Sequence, residues 1–84
     1  MKYVVEVVAS AKKALKKIDG RIVKKILERI DFLEIDPRHN GSLKLSGYKN
    51  LYRTRVGKYR IVYEIYDKKV LVIVVNVDHR KDVY

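Results

Sequence analysis

The sequence contains no cysteine, which excludes disulfides and thiolate metal sites and suits a reducing compartment. Its two histidines, at 39 and 79, fit no HExxH or comparable ligand spacing, so neither a metal nor an organic cofactor is expected. A glycine-rich phosphate loop is missing, as is any workable Ser-His-Asp arrangement. No apolar stretch is long enough to span a membrane, and no membrane partner is expected. The N-terminal MKYVVEVVASA carries Lys2 and a small-residue end, yet Glu6 interrupts an apolar run already too short for an export signal. The expected location is therefore cytoplasmic. Acidic residues are also scarce. Ten Asp and Glu stand against twenty Lys and Arg, a formal net charge of +10. That balance points to an anionic partner such as nucleic acid or an acidic protein, and is silent on catalysis.

With 48% hydrophobic and 36% charged residues, the 84-residue chain reads as globular, and its length suits a single domain over 1–84. Residues 2–8, KYVVEVV, are rich in β-branched side chains and predict a strand. Ser10 is the expected N-cap of a short helix with Ala11, Ala14, Leu15 and Ile18 on one face. Asp19-Gly20 breaks it, and a longer helix follows with Ile22, Val23, Ile26, Leu27, Ile30 and Leu33 in a stripe. Pro37 ends that helix, and residues 37–50 read as a polar loop. Strands are expected at about 51–56, 59–66 and 70–77, the last two joined by a tight turn around Asp67-Lys68-Lys69. The last strand is apolar at nearly every position, which predicts a central strand covered on both faces. The fold class is α+β, in the order β-α-α-β-β-β, an antiparallel sheet with an N-terminal helical hairpin packed on one face. Lys12, Lys13, Lys16, Lys17, Arg21, Lys24, Lys25 and Arg29 lie off the apolar stripes. A solvated face and RNA-backbone contact both fit them.

The stretch NLYRTRVGKYRIVYEI (50–65) holds Arg53, Arg55 and Arg60 among alternating apolar residues. Gly57-Lys58 suits a two-residue type II′ turn, which would pair Val56 with Tyr59 and set Arg55 opposite Arg60. Leu51, Arg53, Arg55, Arg60, Val62 and Glu64 then share one face, while Tyr52, Thr54, Val56, Tyr59, Ile61 and Tyr63 turn to the core. Like charges directly opposite one another destabilise a sheet by up to about 1 kcal/mol, so a further interaction is needed to favour them. Glu64 fits an ion pair with Arg53 better than a role as general base. The tail NVDHRKDVY (76–84) adds His79, Arg80 and Tyr84 beside the strand ends. On its own the tail reads as an exposed terminus rather than a site. Together, the arginines, an imidazole and a tyrosine around one sheet face suit a phosphodiester, whose oxygens guanidinium forks grip bidentately. RNA supplies its own nucleophile, the 2′-OH, so cleavage needs positioning and proton transfer without a metal.

KLSGYKNLYRTRVGKYRIVYEI (44–65) followed by VVNVDHRKDVY (74–84) resembles the RelE/ParE toxin superfamily, in particular its RelE-like mRNA interferase branch. The likeness spans the whole chain and rests on the K-L-x-G loop, the G-x-Y-R-[IL]-V-Y hairpin and the H-R-x-x-V-Y ending. It implies a RelE-like fold and a metal-independent endoribonuclease, the toxin of a type II toxin–antitoxin system. Such a toxin cuts mRNA in the ribosomal A site, in contact with ribosomal RNA, and inhibits translation. A cognate acidic antitoxin is implied as partner, in a hetero-oligomer. The family's functional positions fall on Arg53, Arg55, Arg60, Arg80 and Tyr84, with His79 a second candidate proton donor. Relatives carry lysines where Arg53 and Arg55 stand, and arginine does not readily release a proton. The general base is therefore left unassigned. Two other readings stay open: a ParE-like DNA gyrase inhibitor without RNase activity, and a non-catalytic basic module binding RNA or protein.

Overall fold

Gly57 adopts a positive φ of 59° between two strands, a conformation that costs glycine nothing and lets a two-residue turn close the hairpin tightly. Val56 pairs with Tyr59 and Arg55 with Arg60, as the turn chemistry requires. The computed structural model describes residues 2–79. In order these form β1 (Val4–Val7), α1 (Ala9–Lys16), α2 (Gly20–Phe32), β2 (Leu43–Lys44), β3 (Leu51–Val56), β4 (Tyr59–Tyr66) and β5 (Leu71–His79). A 3-10 turn at Asp67–Lys69 leads into β5 through Val70, which takes a left-handed φ of 50°.

The fold is α+β, with the helices on one face of a single sheet ordered β1-β5-β4-β3-β2. Three details depart from the expected arrangement. The sheet is mixed rather than antiparallel throughout, because β1 runs parallel to β5. A parallel pair needs a long crossover, and the intervening helices and strands supply it. The middle strand is β4, while β5 lies between β4 and β1. Only one face of β5 is fully buried, by Val72, Val74 and Val77. Finally, the loop read at 37–50 contains the short strand β2, whose Leu43 pairs with Arg53.

Ser10 does not cap α1. The helix starts at Ala9 after Val8, whose carbonyl accepts from Lys12 N at 3.0 Å, so Ser10 already lies inside the first turn. Asp19 does cap α2, its side chain accepting from Arg21 N at 2.9 Å, which satisfies one of the free amides at the helix start.

Helix α1 lies against β5 and α2 against β3. Ala11, Ile26, Ile30 and Leu33 meet Val56, Ile61, Tyr63, Ile65, Val72, Val74 and Val77 in one buried cluster, with Tyr52 and Tyr59 packed at its edge. Burying an aliphatic side chain of this size contributes about 1.5–3 kcal/mol. This layer therefore holds the sheet rigid from one side. Among the described residues no helix covers the other face, and the arginines stand on it.

One irregularity governs which residues reach that open face. Val62 pairs with Asn76 but Tyr63 pairs with Val74, leaving Val75 as the extra residue of a β-bulge. Alternation reverses across a bulge. On one side of it Val72 and Val74 point to the core, and on the other Val77 and His79 do.

Candidate functional site

Directly paired residues on neighbouring strands project to the same side of a sheet. Arg55 pairs with Arg60, and Arg60 pairs with Asp78, so these residues form a transverse row across β3, β4 and β5. The next row along holds Leu43, Arg53, Val62 and Asn76. Arg53, Arg55 and Arg60 therefore share the open face, as the hairpin register requires. Their environments differ. Arg55 is exposed and Arg53 half-buried, whereas Arg60 is only 8% exposed. Arg53 and Arg55, with Gly41, Leu43 and Thr54, line a shallow cleft of about 270 Å³.

Among the described residues, no carboxylate lies within 4.0 Å of a nitrogen of these three arginines. Among the described residues the ion pairs within 4.0 Å are Arg21–Asp19 and Arg38–Asp67, so the expected Arg53–Glu64 pair does not form. Glu64 pairs with Leu51, one row beyond Arg53. The nearest carboxylate in the row is Asp78, whose Oδ2 accepts from Asn76 Nδ2 at 2.8 Å.

His79 is not brought together with the arginines. It pairs with Tyr59 on the helix-covered face and meets that ring edge-on, centroids 5.1 Å apart. There it borders cavities of about 360 and 280 Å³, one lined by Lys13 and Lys17, the other by Lys25 and Lys58. The bulge at Val75 is the physical reason, since an unbroken strand would carry residue 79 to the other face. Arg80 and Tyr84 lie outside the described residues.

The arginine strand is braced from behind. Arg29, on α2, donates through Nη1 to Thr54 Oγ1 at 2.7 Å and to the Arg55 carbonyl at 3.1 Å. His39 joins the same hydroxyl, with Nε2 at 2.9 Å from Thr54 Oγ1 and Nδ1 at 3.2 Å from the Asp36 carbonyl. A carbonyl only accepts, so Nδ1 carries a proton; with the imidazole neutral, Thr54 then donates to Nε2 while accepting from Arg29. Thr54 is 1% exposed and each of its polar partners is used. Neither His39 nor Thr54 stood out in the sequence, because residues from three separate segments meet only in the fold.

Further bonds tie the 36–42 loop to the sheet. Tyr63 donates to the Pro37 carbonyl at 2.6 Å, and burial pushes its phenol up to about 12. Arg38 grips Asp67 with both terminal nitrogens, at 2.9 and 2.8 Å, and Tyr3 donates to the same carboxylate at 2.8 Å. The Arg38 hydrogen bonds, and after them the one from Tyr3, hold the Asp67 carboxyl below its ordinary range.

A basic sheet face whose arginines form no ion pair among the described residues can hold a phosphodiester and stabilise charge as it develops there. The model of the family described as the ParE toxin of the type II toxin–antitoxin system parDE matches residues 5–84. Toxin RelG of Mycobacterium tuberculosis is 31% identical over 85 residues, spanning 100% of this chain and 98% of that protein. The archaeal RelE-RelB complex from Pyrococcus horikoshii has a chain of similar structure, with a TM-score of 0.83 and 29% identity over 95% of this chain and 97% of that one. The RelB-RelE antitoxin–toxin complex from Methanococcus jannaschii gives a TM-score of 0.78 and 32% identity over 94% of each chain.

Proposed function

Because the chain belongs to the ParE-toxin family of type II toxin–antitoxin systems, we propose that its open sheet face cleaves mRNA on the ribosome. The observation that carries this reading is the row in which Arg55 and Arg60 stand opposite one another, with Arg53 beside them and, among the described residues, no ion pair within 4.0 Å to any of the three. Repulsion in such a row reverses once a phosphate is shared.

In the proposed reaction the 2′-OH attacks the adjacent phosphorus in the A-site codon, leaving a 2′,3′-cyclic phosphate and a 5′-OH. Arg55 and Arg60 hold the scissile phosphate, and Arg53 holds the neighbouring backbone. Preorganised donors of this kind act most strongly on charge that develops in the transition state. Arg80 is the proposed donor to the leaving 5′-oxygen, and Tyr84 orients the message. His79 faces the helices, so it is dropped from the donor role on this face. An acidic antitoxin is the proposed partner, in line with the antitoxin-bound RelE chains from P. horikoshii and M. jannaschii and with the +10 charge of this chain.

The family description names ParE, which favours a second reading, inhibition of DNA gyrase through the same fold. One paired assay separates them. The protein is incubated with programmed ribosomes and, separately, with gyrase and relaxed plasmid. Message cleavage with normal supercoiling supports the interferase. Intact message with blocked supercoiling supports the gyrase inhibitor.

A further inference from the structure

Arg60 Nε and Asp78 Oδ1 are both buried, and neither has a hydrogen-bond partner. The two residues are directly paired across β4 and β5, on the face that carries Arg53 and Arg55. Asn76 donates to the other carboxylate oxygen at 2.8 Å, which fixes the orientation of the carboxyl group. No lysine or arginine among the described residues comes within 4.0 Å of its oxygens. One buried atom therefore lacks an acceptor, and its neighbour lacks a donor. Unmade bonds of this kind are costly in a folded chain and call for an explanation.

A ligand that satisfies both must present an acceptor and a donor side by side. A ribonucleotide does so: the phosphate oxygen accepts and the adjacent 2′-hydroxyl donates. We propose that Asp78 is the general base of the reaction, receiving the 2′-OH on Oδ1 while Arg60 Nε holds the neighbouring phosphate oxygen. The inference rests on the RNA-cleaving reading above and supplies the base that Arg53 and Arg55 cannot provide. Asp78 Oδ1 takes the proton of the 2′-OH, and the freed electron pair on O2′ forms the bond to phosphorus. The P–O5′ bond breaks, its electrons stay on O5′, and that oxygen takes a proton from Arg80 or from water. Asp78 then releases its proton to solvent. Deoxyribose offers no donor to Oδ1, so the same pair of atoms selects RNA over DNA.

Single-turnover cleavage of mRNA on programmed ribosomes tests this with wild type, Asp78→Asn and Asp78→Ser, each checked by thermal unfolding. Asn keeps the shape and can accept from the 2′-OH but cannot take its proton. Its expected effect is a fall in cleavage rate of about 10²–10⁴-fold, with affinity for the programmed ribosome unchanged. A message with sulfur bridging the scissile 5′ position, whose leaving group departs without a proton, should show the same defect. Recovery on that substrate would make Asp78 an acid and overturn the assignment, as would wild-type cleavage by Asp78→Asn. Equal losses of affinity and rate would reduce Asp78 to a positioning group for Arg60 and also overturn it. Should the variants fold poorly, wild-type protein is titrated with ribosomes carrying one 2′-deoxy nucleotide at the scissile position. Weaker binding than to the all-ribose message supports the pairing, and equal binding overturns it. If wild type leaves every ribosome-bound message intact, the functional reading itself has failed, and this inference falls with it.

Discussion

Arg60 stands directly opposite Arg55 across the β3–β4 hairpin, with one guanidinium buried and the other exposed. The exposed partner is free to follow a ligand, and the buried one is fixed before the ligand arrives. Arg60→Ala is expected to lower cleavage by about 10²–10³-fold, the usual effect of removing one preorganised donor at a transition state. Arg60→Lys should recover little, because a lysine lacks the planar fork. Single-turnover rates on ribosomes, with unfolding curves as control, measure both effects.

Thr54 is expected to matter for stability. Thr54→Val is nearly isosteric but removes a hydroxyl that accepts from Arg29 and donates to His39. Leaving buried polar partners unsatisfied costs about 1–3 kcal/mol. Denaturant unfolding should show a loss of that size for Val and a smaller loss for Thr54→Ser, which keeps the hydroxyl. Because Arg29 also holds the Arg55 carbonyl, Thr54→Val should slow cleavage as well.

Tyr63 sets an alkaline limit. Its phenol is pushed up to about 12 by burial, above the ordinary value of about 10 for an exposed tyrosine. A pKa raised on folding contributes stability that is complete below the unfolded value and is lost as pH rises through the folded one. Stability should therefore decline between about pH 10 and pH 12, and Tyr63→Phe should flatten that decline. Phenolate absorbance followed with pH gives an independent check. The Tyr63 phenol should ionise together with unfolding.

Local chemistry in the sequence carried the hairpin and the arginine face. Gly57-Lys58 dictates a two-residue turn, that turn fixes the register, and the register puts Arg53, Arg55 and Arg60 on one side. Of the expected α2 stripe, Ile26, Ile30 and Leu33 are buried as their spacing requires, whereas Ile22 and Leu27 are exposed. What lay beyond reach depends on contacts between distant segments. The bulge at Val75 carries no turn residue to announce it, and it decides that Asp78 rather than His79 joins the arginines. The parallel pairing of β1 with β5 depends on which sheet edge was left open. Arg29, His39 and Thr54 come from an α-helix, a loop and a strand, and no periodicity links them.

In the proposed function this arginine face cuts message in the ribosomal A site by 2′-OH attack. Mapping the cut on programmed ribosomes, with end-group analysis of the fragments, tests it most directly. The expected result is a single scission within the A-site codon, with a 2′,3′-cyclic phosphate upstream and a 5′-OH downstream, lost in Arg55→Ala. A 5′-phosphate on the downstream fragment, or full cleavage by Arg55→Ala, would contradict it.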